Sequence, residues 1–252
     1  MTRPAWDNSR MTSSSPPASL HESFDVTRAA AAYRQSGRVQ ILDALTPPCA
    51  ERVLACLESE VPWQLHFNDG AKTYDLMQDQ VRSVPEANRV LLLDAINAKA
   101  ETRFQYLFNN FPMTDAYEAG RLRELYIMRV LELLNSAPFL DIARRLTGCP
   151  EIGLVDAQAT LYRSGHFLTC HDDDVHGKGR IAAYVLNFTR EWRADWGGVL
   201  HFLGADDQVV EGYVPRFNAL NVFRVPQRHA VSYVAPFTRA GRYSISGWLH
   251  AP

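Results

Sequence analysis

Beyond Gly148 the sequence breaks into short β-prone runs, DAQATLYR, RIAAYVLNFT, GGVLHFL, LNVFRV, AVSYVA and GRYSISGWLH, separated by Gly, Asp, Asn and Pro. β-Branched and aromatic residues favour a pleated, half-buried backbone, and turn residues at this frequency stop any one run from growing long. Several such strands in succession predict a sandwich or barrel. Upstream, from residue 24 to about 148, the period is largely helical. VTRAAAAYRQS forms a short amphipathic helix ended by Gly37, and GRVQILDAL follows as a strand. Thr46 before Pro47 and Pro48 has the pattern of an N-cap with proline in the first turn, opening a helix with Val53, Leu54, Leu57 and Val61 at helical spacing. WQLHF and KTYDLM read as strands, with helices expected over 86–103 and 121–146. The stripe Leu125, Met128, Leu131 and Leu134 is assigned to the core on its period.

Residues 1–21, rich in Ser, Pro and small polar residues without an apolar period, are expected to form a disordered leader. Residues 22–252 are expected to fold as a single domain, with mostly helical support over 22–150 and a β core over 151–252. A hydrophobic fraction of 46%, with 11% aromatic residues, supplies the apolar surface such a core needs. Twenty-six basic against twenty-eight acidic residues give a net charge of −2, so no global field draws the chain to nucleic acid or anionic lipid. Cys49, Cys56, Cys149 and Cys170 show neither CxxC pairing nor the density of a disulfide scaffold. No run approaches the roughly 18 apolar residues of a membrane span, and the N-terminus lacks the apolar stretch of a secretory signal. Together these features predict a cytoplasmic location.

The chemistry is expected in the β half. In LYRSGHFLTCHDDDVHGKGR, His171 and Asp173 stand two residues apart, and on an extended backbone residues i and i+2 share a face. His229, in VPQRHAVSYV, belongs to another strand. Two histidines and one carboxylate make the facial triad of non-haem iron(II), which leaves open positions on the metal. Alone, an HxD pair is a common chance match. Arg242, thirteen residues after His229, adds a guanidinium able to hold a carboxylate through two parallel hydrogen bonds, as the distal carboxylate of 2-oxoglutarate would require. Arg239 competes for that role, but it sits in the turn PFTRAG, whereas Arg242 lies in a β-prone run. Asp172, Asp174, His166 and His176 are read as exposed loop residues, His201 as an ordinary strand residue, and Gly197 and Gly198 as permitting a close strand approach or a tight turn.

The ordered series YRSGHFLTCHDDD, RIAAYVLNFTREW, WGGVLHF, PRFNALNVF, HAVSYV and RYSISGWLH resembles the prolyl-hydroxylase-type branch of the 2-oxoglutarate- and iron(II)-dependent oxygenases. It is most similar to the branch containing ribosomal-protein prolyl hydroxylases, and FQYLFNNFPM resembles the segment before the core there. The resemblance implies a double-stranded β-helix, or jelly roll, buttressed by N-terminal helices. It implies His171, Asp173 and His229 as iron ligands and Arg242 as the 2-oxoglutarate clamp. Tyr162, nine residues before His171, matches a tyrosine that bonds the same carboxylate, and Ser246 matches a small hydroxyl residue of that pocket. Asn187 falls where relatives often carry an aromatic residue, and is a further candidate contact to the cofactor.

The implied reaction is hydroxylation of an unactivated C–H bond, with iron(II) as cofactor and 2-oxoglutarate and dioxygen as co-substrates. Succinate and carbon dioxide are released, and ascorbate is a candidate stimulant. Prolyl residues of a protein or peptide are the favoured substrate class, and a free amino acid or other small molecule is the alternative. A zinc hydrolase would also use two histidines and an aspartate. A cupin-like binding module with a vestigial metal site is the non-enzymatic reading. Neither accounts for Arg242.

Overall fold

The computed structural model describes residues 15–251. Along the chain run α1 (Val26–Ser36), β1 (Arg38–Ile41), α2 (Pro47–Ser59), β2 (Gln64–Asp69), β3 (Lys72–Met77), α3 (Gln78–Ser83), α4 (Glu86–Ala100) and β4 (Tyr106–Phe111). Next come α5 (Met113–Glu118), α6 (Tyr126–Leu134), α7 (Ala137–Thr147), β5 (Leu154–Val155), β6 (Gln158–Tyr162), β7 (Phe167–His171) and β8 (Arg180–Asn187). The chain finishes with β9 (Leu200–Leu203), β10 (Val209–Tyr213), β11 (Ala219–Arg224), β12 (His229–Val231) and β13 (Arg242–His250).

The strands form one sheet in the order β1-β11-β8-β13-β6-β4-β7-β12-β9-β10, with β2, β3 and β5 branching from it. Every ladder is antiparallel. Arg38 at one end of this path pairs with Glu211 at the other, and its guanidinium lies 4.9 Å from the Phe202 ring centroid on β9. Side chains thus close what backbone pairing leaves open, giving a nearly closed, jelly-roll-like barrel.

Local signals explain most boundaries. Asp25 caps α1 by accepting from the Arg28 N–H, and Gly37 ends it at φ 73°, where a Cβ would be strained. α2 starts at Pro47 as expected, but Thr46 makes no capping bond, because its hydroxyl meets Ser19 Oγ at 3.0 Å. The helix expected over 121–146 is two helices. Ser136 caps α7 with Pro138 in its first turn, and the buried Asn135 amide bonds to the carbonyls of Leu131 and Val155. The Leu125, Met128, Leu131 and Leu134 stripe is core throughout.

Two expectations on organisation need correction. The segment before residue 150 is more than helical support, since β1 pairs with β11 and β4 pairs with both β6 and β7, making it part of the barrel wall. YLFNNF is almost continuously buried, so it lacks the alternation that marks a half-exposed strand. The expected leader lies outside the described residues up to residue 14. From residue 15 onward the chain is docked: Leu20 bridges to Leu45, Thr46 N–H donates to Ser19 O, and Tyr126 Oη donates to Pro16 O. Ala18 and Leu20 pack against the main core.

Candidate active site

A cavity of about 400 Å³ opens inside the barrel, and the predicted site residues other than Asn187 converge on it. His171 ends β7 and His229 begins β12, and the two are direct partners in the β7–β12 ladder. Their ring centroids are 4.1 Å apart. Asp173 reaches the same point by a route the sequence argument did not foresee. It lies beyond the end of β7 with φ 64°, a left-handed conformation that Asp tolerates better than most residues. The turn, rather than strand alternation, brings its carboxylate to the two rings. One ligand atom from each of the three residues lies within 4.8 Å of the others.

The hydrogen bonds behind the rings fix their tautomers. His171 Nδ1 lies 3.0 Å from Thr169 O, and His229 Nδ1 lies 2.7 Å from Gln227 O. A carbonyl oxygen only accepts, so each Nδ1 carries the proton and each Nε2 turns a lone pair inward. Those Nε2 atoms stand 3.4 Å from Asp173 Oδ1 and Oδ2 respectively. Burial and the neighbouring His171 depress His229 to about 4, so it is neutral near pH 7. Burial pushes the Asp173 carboxyl up, but the polar groups around it, the Trp248 side chain among them, outweigh this and hold it below its usual value. Lone pairs and a carboxylate facing one another are mutually repulsive until a cation lies between them, and the donor set suits non-haem iron.

Arg242 opens β13 in register with Tyr162 of β6, its guanidinium carbon 4.9 Å from that ring's centroid. It is only 2% exposed and lines the cavity, yet among the described residues its guanidinium has neither an ion-pair nor a hydrogen-bond partner, and Nε is wholly buried. Two glycines allow the chain to pass close by. A Cβ on Gly198 would come within 3.4 Å of Arg242 Cδ, and one on Gly197 would collide with the Tyr233 carbonyl at 1.9 Å. Arg239 is exposed and absent from the cavity wall.

Tyr162 and Ser246 line the cavity as expected. Asn187 does not. Its amide donates to the carbonyls of Val185 and Ala219, and it sits in register with Ser244 outside the cavity wall. His166 is buried rather than exposed, bonded through Nδ1 to Leu161 O and depressed to about 4 by that burial. His176 is exposed, as are Asp172 and Asp174, although those two acids edge the cavity mouth. His201 lies on β9, off the cavity wall.

Several lining residues were not found from the sequence. Thr160 and Ser244, cross-strand partners with hydroxyls 2.7 Å apart, line the cavity two residues along β13 from Arg242. Arg180 and Trp248 form a second pair beside Asp173, the guanidinium carbon 3.5 Å from the indole centroid and Arg180 Nη1 donating to Asp173 O. Arg180 Nε is buried without a hydrogen-bond partner among the described residues, while the Trp248 side chain interacts with the Asp173 carboxylate and favours its charged form. The alternation 242, 244, 246, 248 along β13 would have flagged Ser244 and Trp248. His66, Phe104, Tyr106 and Phe108 make an aromatic wall opposite. Phe104, Tyr106 and Phe108 lie in FQYLFNNFPM and His66 in the expected strand WQLHF, but no site role was assigned to any of them from the sequence.

Residues 157–250, which contain the triad and Arg242, match the family profile described as 2OG-Fe(II) oxygenase superfamily. Over 130 residues, 48% of this chain and 25% of the relative, the sequence is 33% identical to prolyl 3-hydroxylase OGFOD1 of Xenopus laevis. The chain therefore spans about a quarter of the length of that relative. Among solved structures, an oxidoreductase of the 2OG-Fe(II) oxygenase family from Burkholderia pseudomallei superimposes with a TM-score of 0.58 at 15% identity, covering 93% of this chain and 96% of that one. A prolyl hydroxylase from Trichoplax adhaerens, in complex with a hypoxia inducible factor peptide fragment, gives 0.56 at 17% identity over 90% and 89%. At these identities the two structures establish the fold. The profile match lies over the strands that carry the triad and the arginine.

Proposed function

We propose that the chain is an iron(II)- and 2-oxoglutarate-dependent dioxygenase that hydroxylates a prolyl residue of a protein or peptide. The observation that carries this reading is Arg242, a buried cation without a counter-ion in the cavity that also holds three converging metal donors. A buried unpaired charge costs several kcal/mol, roughly, and persists where a ligand supplies the opposite charge. A dicarboxylate spanning metal and arginine meets both needs at once.

In this reading Nε2 of His171, Nε2 of His229 and the Asp173 carboxylate hold iron(II), and Thr169 and Gln227 keep the imidazoles in the metal-binding tautomer. The bound iron supplies the oxygen activation, coupled to conversion of 2-oxoglutarate to succinate and carbon dioxide, that breaks the substrate C–H bond. The protein binds, orients and shields. Arg242 takes the distal carboxylate with Tyr162 beside it, and Ser246 lines the same cavity further along β13. Val231, Leu168 and Phe108 exclude water from the channel between. Arg180, beside Asp173 on the cavity wall, keeps one guanidinium N–H without a partner among the described residues. The four cysteines form no disulfide, which fits a reaction in the reducing cytoplasm.

A zinc hydrolase leaves the buried guanidinium unexplained, and the free amino acid or small-molecule substrate remains the second reading of the same chemistry. The test is turnover of a proline-containing peptide library with mass detection. Succinate formation with a 16-dalton gain on proline is expected from the wild type, and loss of both in His171→Ala, Asp173→Ala and His229→Ala. Turnover that survives these substitutions refutes the assignment.

A further inference from the structure

The aromatic wall of the cavity includes one imidazole, that of His66. His66 on β2 lies in register with Asp75 on β3, and its Nδ1 stands 2.7 Å from Asp75 Oδ1. Its ring stacks on Tyr106 with centroids 4.7 Å apart and meets Phe108 edge-on at 5.0 Å. Three neighbours therefore hold one rotamer, and the side chain is only 16% exposed. The carboxylate of Asp75 accepts, so Nδ1 carries the proton. Burial keeps the imidazole neutral, outweighing the opposing pull of Asp75. Nε2 is then a fixed hydrogen-bond acceptor with no partner among the described residues, on a residue that lines the cavity.

Beside Asp173, Arg180 Nε is a buried donor that also lacks a partner among the described residues. One part of the cavity lacks an acceptor and another lacks a donor. A peptide group answers both, because an extended backbone directs its C=O and N–H to opposite sides. The flat faces of Tyr106 and the half-exposed Phe104, whose ring lies 5.3 Å from that of His171, complete a wall suited to the apolar part of such a ligand.

We propose that His66 is a positioning residue whose Nε2 accepts a backbone amide N–H of a peptide substrate and so registers the peptide over the metal. This rests on the oxygenase reading above. The assignment makes the peptide backbone, as well as a side chain, part of what is recognised, and it separates a peptide substrate from a free amino acid, which has no amide N–H to offer.

The probe is a mixture of N-acetylated, C-amidated nonapeptides with one central proline. The peptide hydroxylated by the wild type is then resynthesised with each backbone amide near the proline N-methylated in turn. Affinity is read by calorimetry on protein loaded with manganese(II) and 2-oxoglutarate, and KM and kcat on the iron enzyme. One neutral hydrogen bond corresponds to a factor of about three to ten in affinity. His66→Phe should weaken peptide affinity by that factor and raise KM with kcat within about twofold. His66→Gln, which keeps an acceptor, should recover part of it. N-Methylation at one position should cost the wild type the same factor and cost His66→Phe nothing further. Additive losses from methylation and substitution overturn the proposal, as does wild-type peptide affinity in His66→Phe. A wild type that forms succinate yet hydroxylates no peptide overturns the peptide substrate and this proposal together. A wild type that does not consume 2-oxoglutarate overturns the oxygenase reading itself.

Discussion

Removing the Arg242 charge should separate binding from stability in opposite directions. The guanidinium is 2% exposed, lies against the Tyr162 ring and has no counter-ion, so in the absence of a ligand it is a cost to the fold. Replacing buried charge by an apolar side chain of similar volume is often neutral or stabilises by about 1 to 4 kcal/mol. Arg242→Met should therefore leave the melting temperature of ligand-free protein unchanged or higher, by up to several degrees at roughly 2 to 4 °C per kcal/mol. The same substitution removes a charge-assisted, two-donor contact to the distal carboxylate. At about 1.5 to 3 kcal/mol for a hydrogen bond to a charged group, 2-oxoglutarate affinity should fall at least ten- to a hundredfold. Arg242→Lys should restore part of the affinity, since an ammonium keeps the charge but lacks the planar fork. The exposed Arg239→Ala should be silent. Calorimetric titration of iron(II)-loaded protein with 2-oxoglutarate under nitrogen, beside thermal melts, reads both effects. Unchanged 2-oxoglutarate affinity together with a large drop in melting temperature would show that Arg242 is a structural residue, and the clamp argument would be wrong.

Three further outcomes follow from the geometry. Asp173→Ala should lose iron binding, whereas Asp172→Ala and Asp174→Ala, whose carboxylates are exposed, should retain it, as measured by equilibrium dialysis with iron(II); the reverse pattern would mean the ligand register is displaced. Leu20→Ser should destabilise the fold by about 1 kcal/mol in thermal melts, because the docked N-terminal segment packs on the main core, and an unchanged melt would show the docking to be energetically idle. Burial pulls His250 down, but its bond to Asp156 and the Lys178 carbonyl pull it up further, so its folded pKa lies above its usual value. A raised folded pKa means that this contribution is fully present below about 6.5 and is lost as pH rises through the elevated value. His250→Gln should flatten that part of the pH–melting profile, and an unaltered profile would contradict the assignment.

The fold was readable where one local signal sufficed. Gly37 and Asp25 mark the ends of α1, and the β-prone runs after Gly148 give most of the barrel strands. The signal failed where tertiary context decides: YLFNNF is buried on both faces and so has no strand period, and Asn135 to Pro138 interrupts what the apolar stripe suggests is one helix. The triad was legible from residue type and spacing, although for Asp173 the spacing argument invoked a strand that ends two residues earlier. Asn187 was misplaced because positional resemblance says nothing about depth along β8, while Arg180 and His66 escaped because their importance lies in atoms left without partners among the described residues. Only packed coordinates reveal those.

The most direct test of the whole account is 2-oxoglutarate turnover in air by the same preparation loaded with iron(II) or with zinc(II). The account predicts one succinate formed per 2-oxoglutarate consumed by the iron form, none by the zinc form, and none by iron-loaded His229→Ala. Hydrolytic activity in the zinc form with no succinate from the iron form would contradict it.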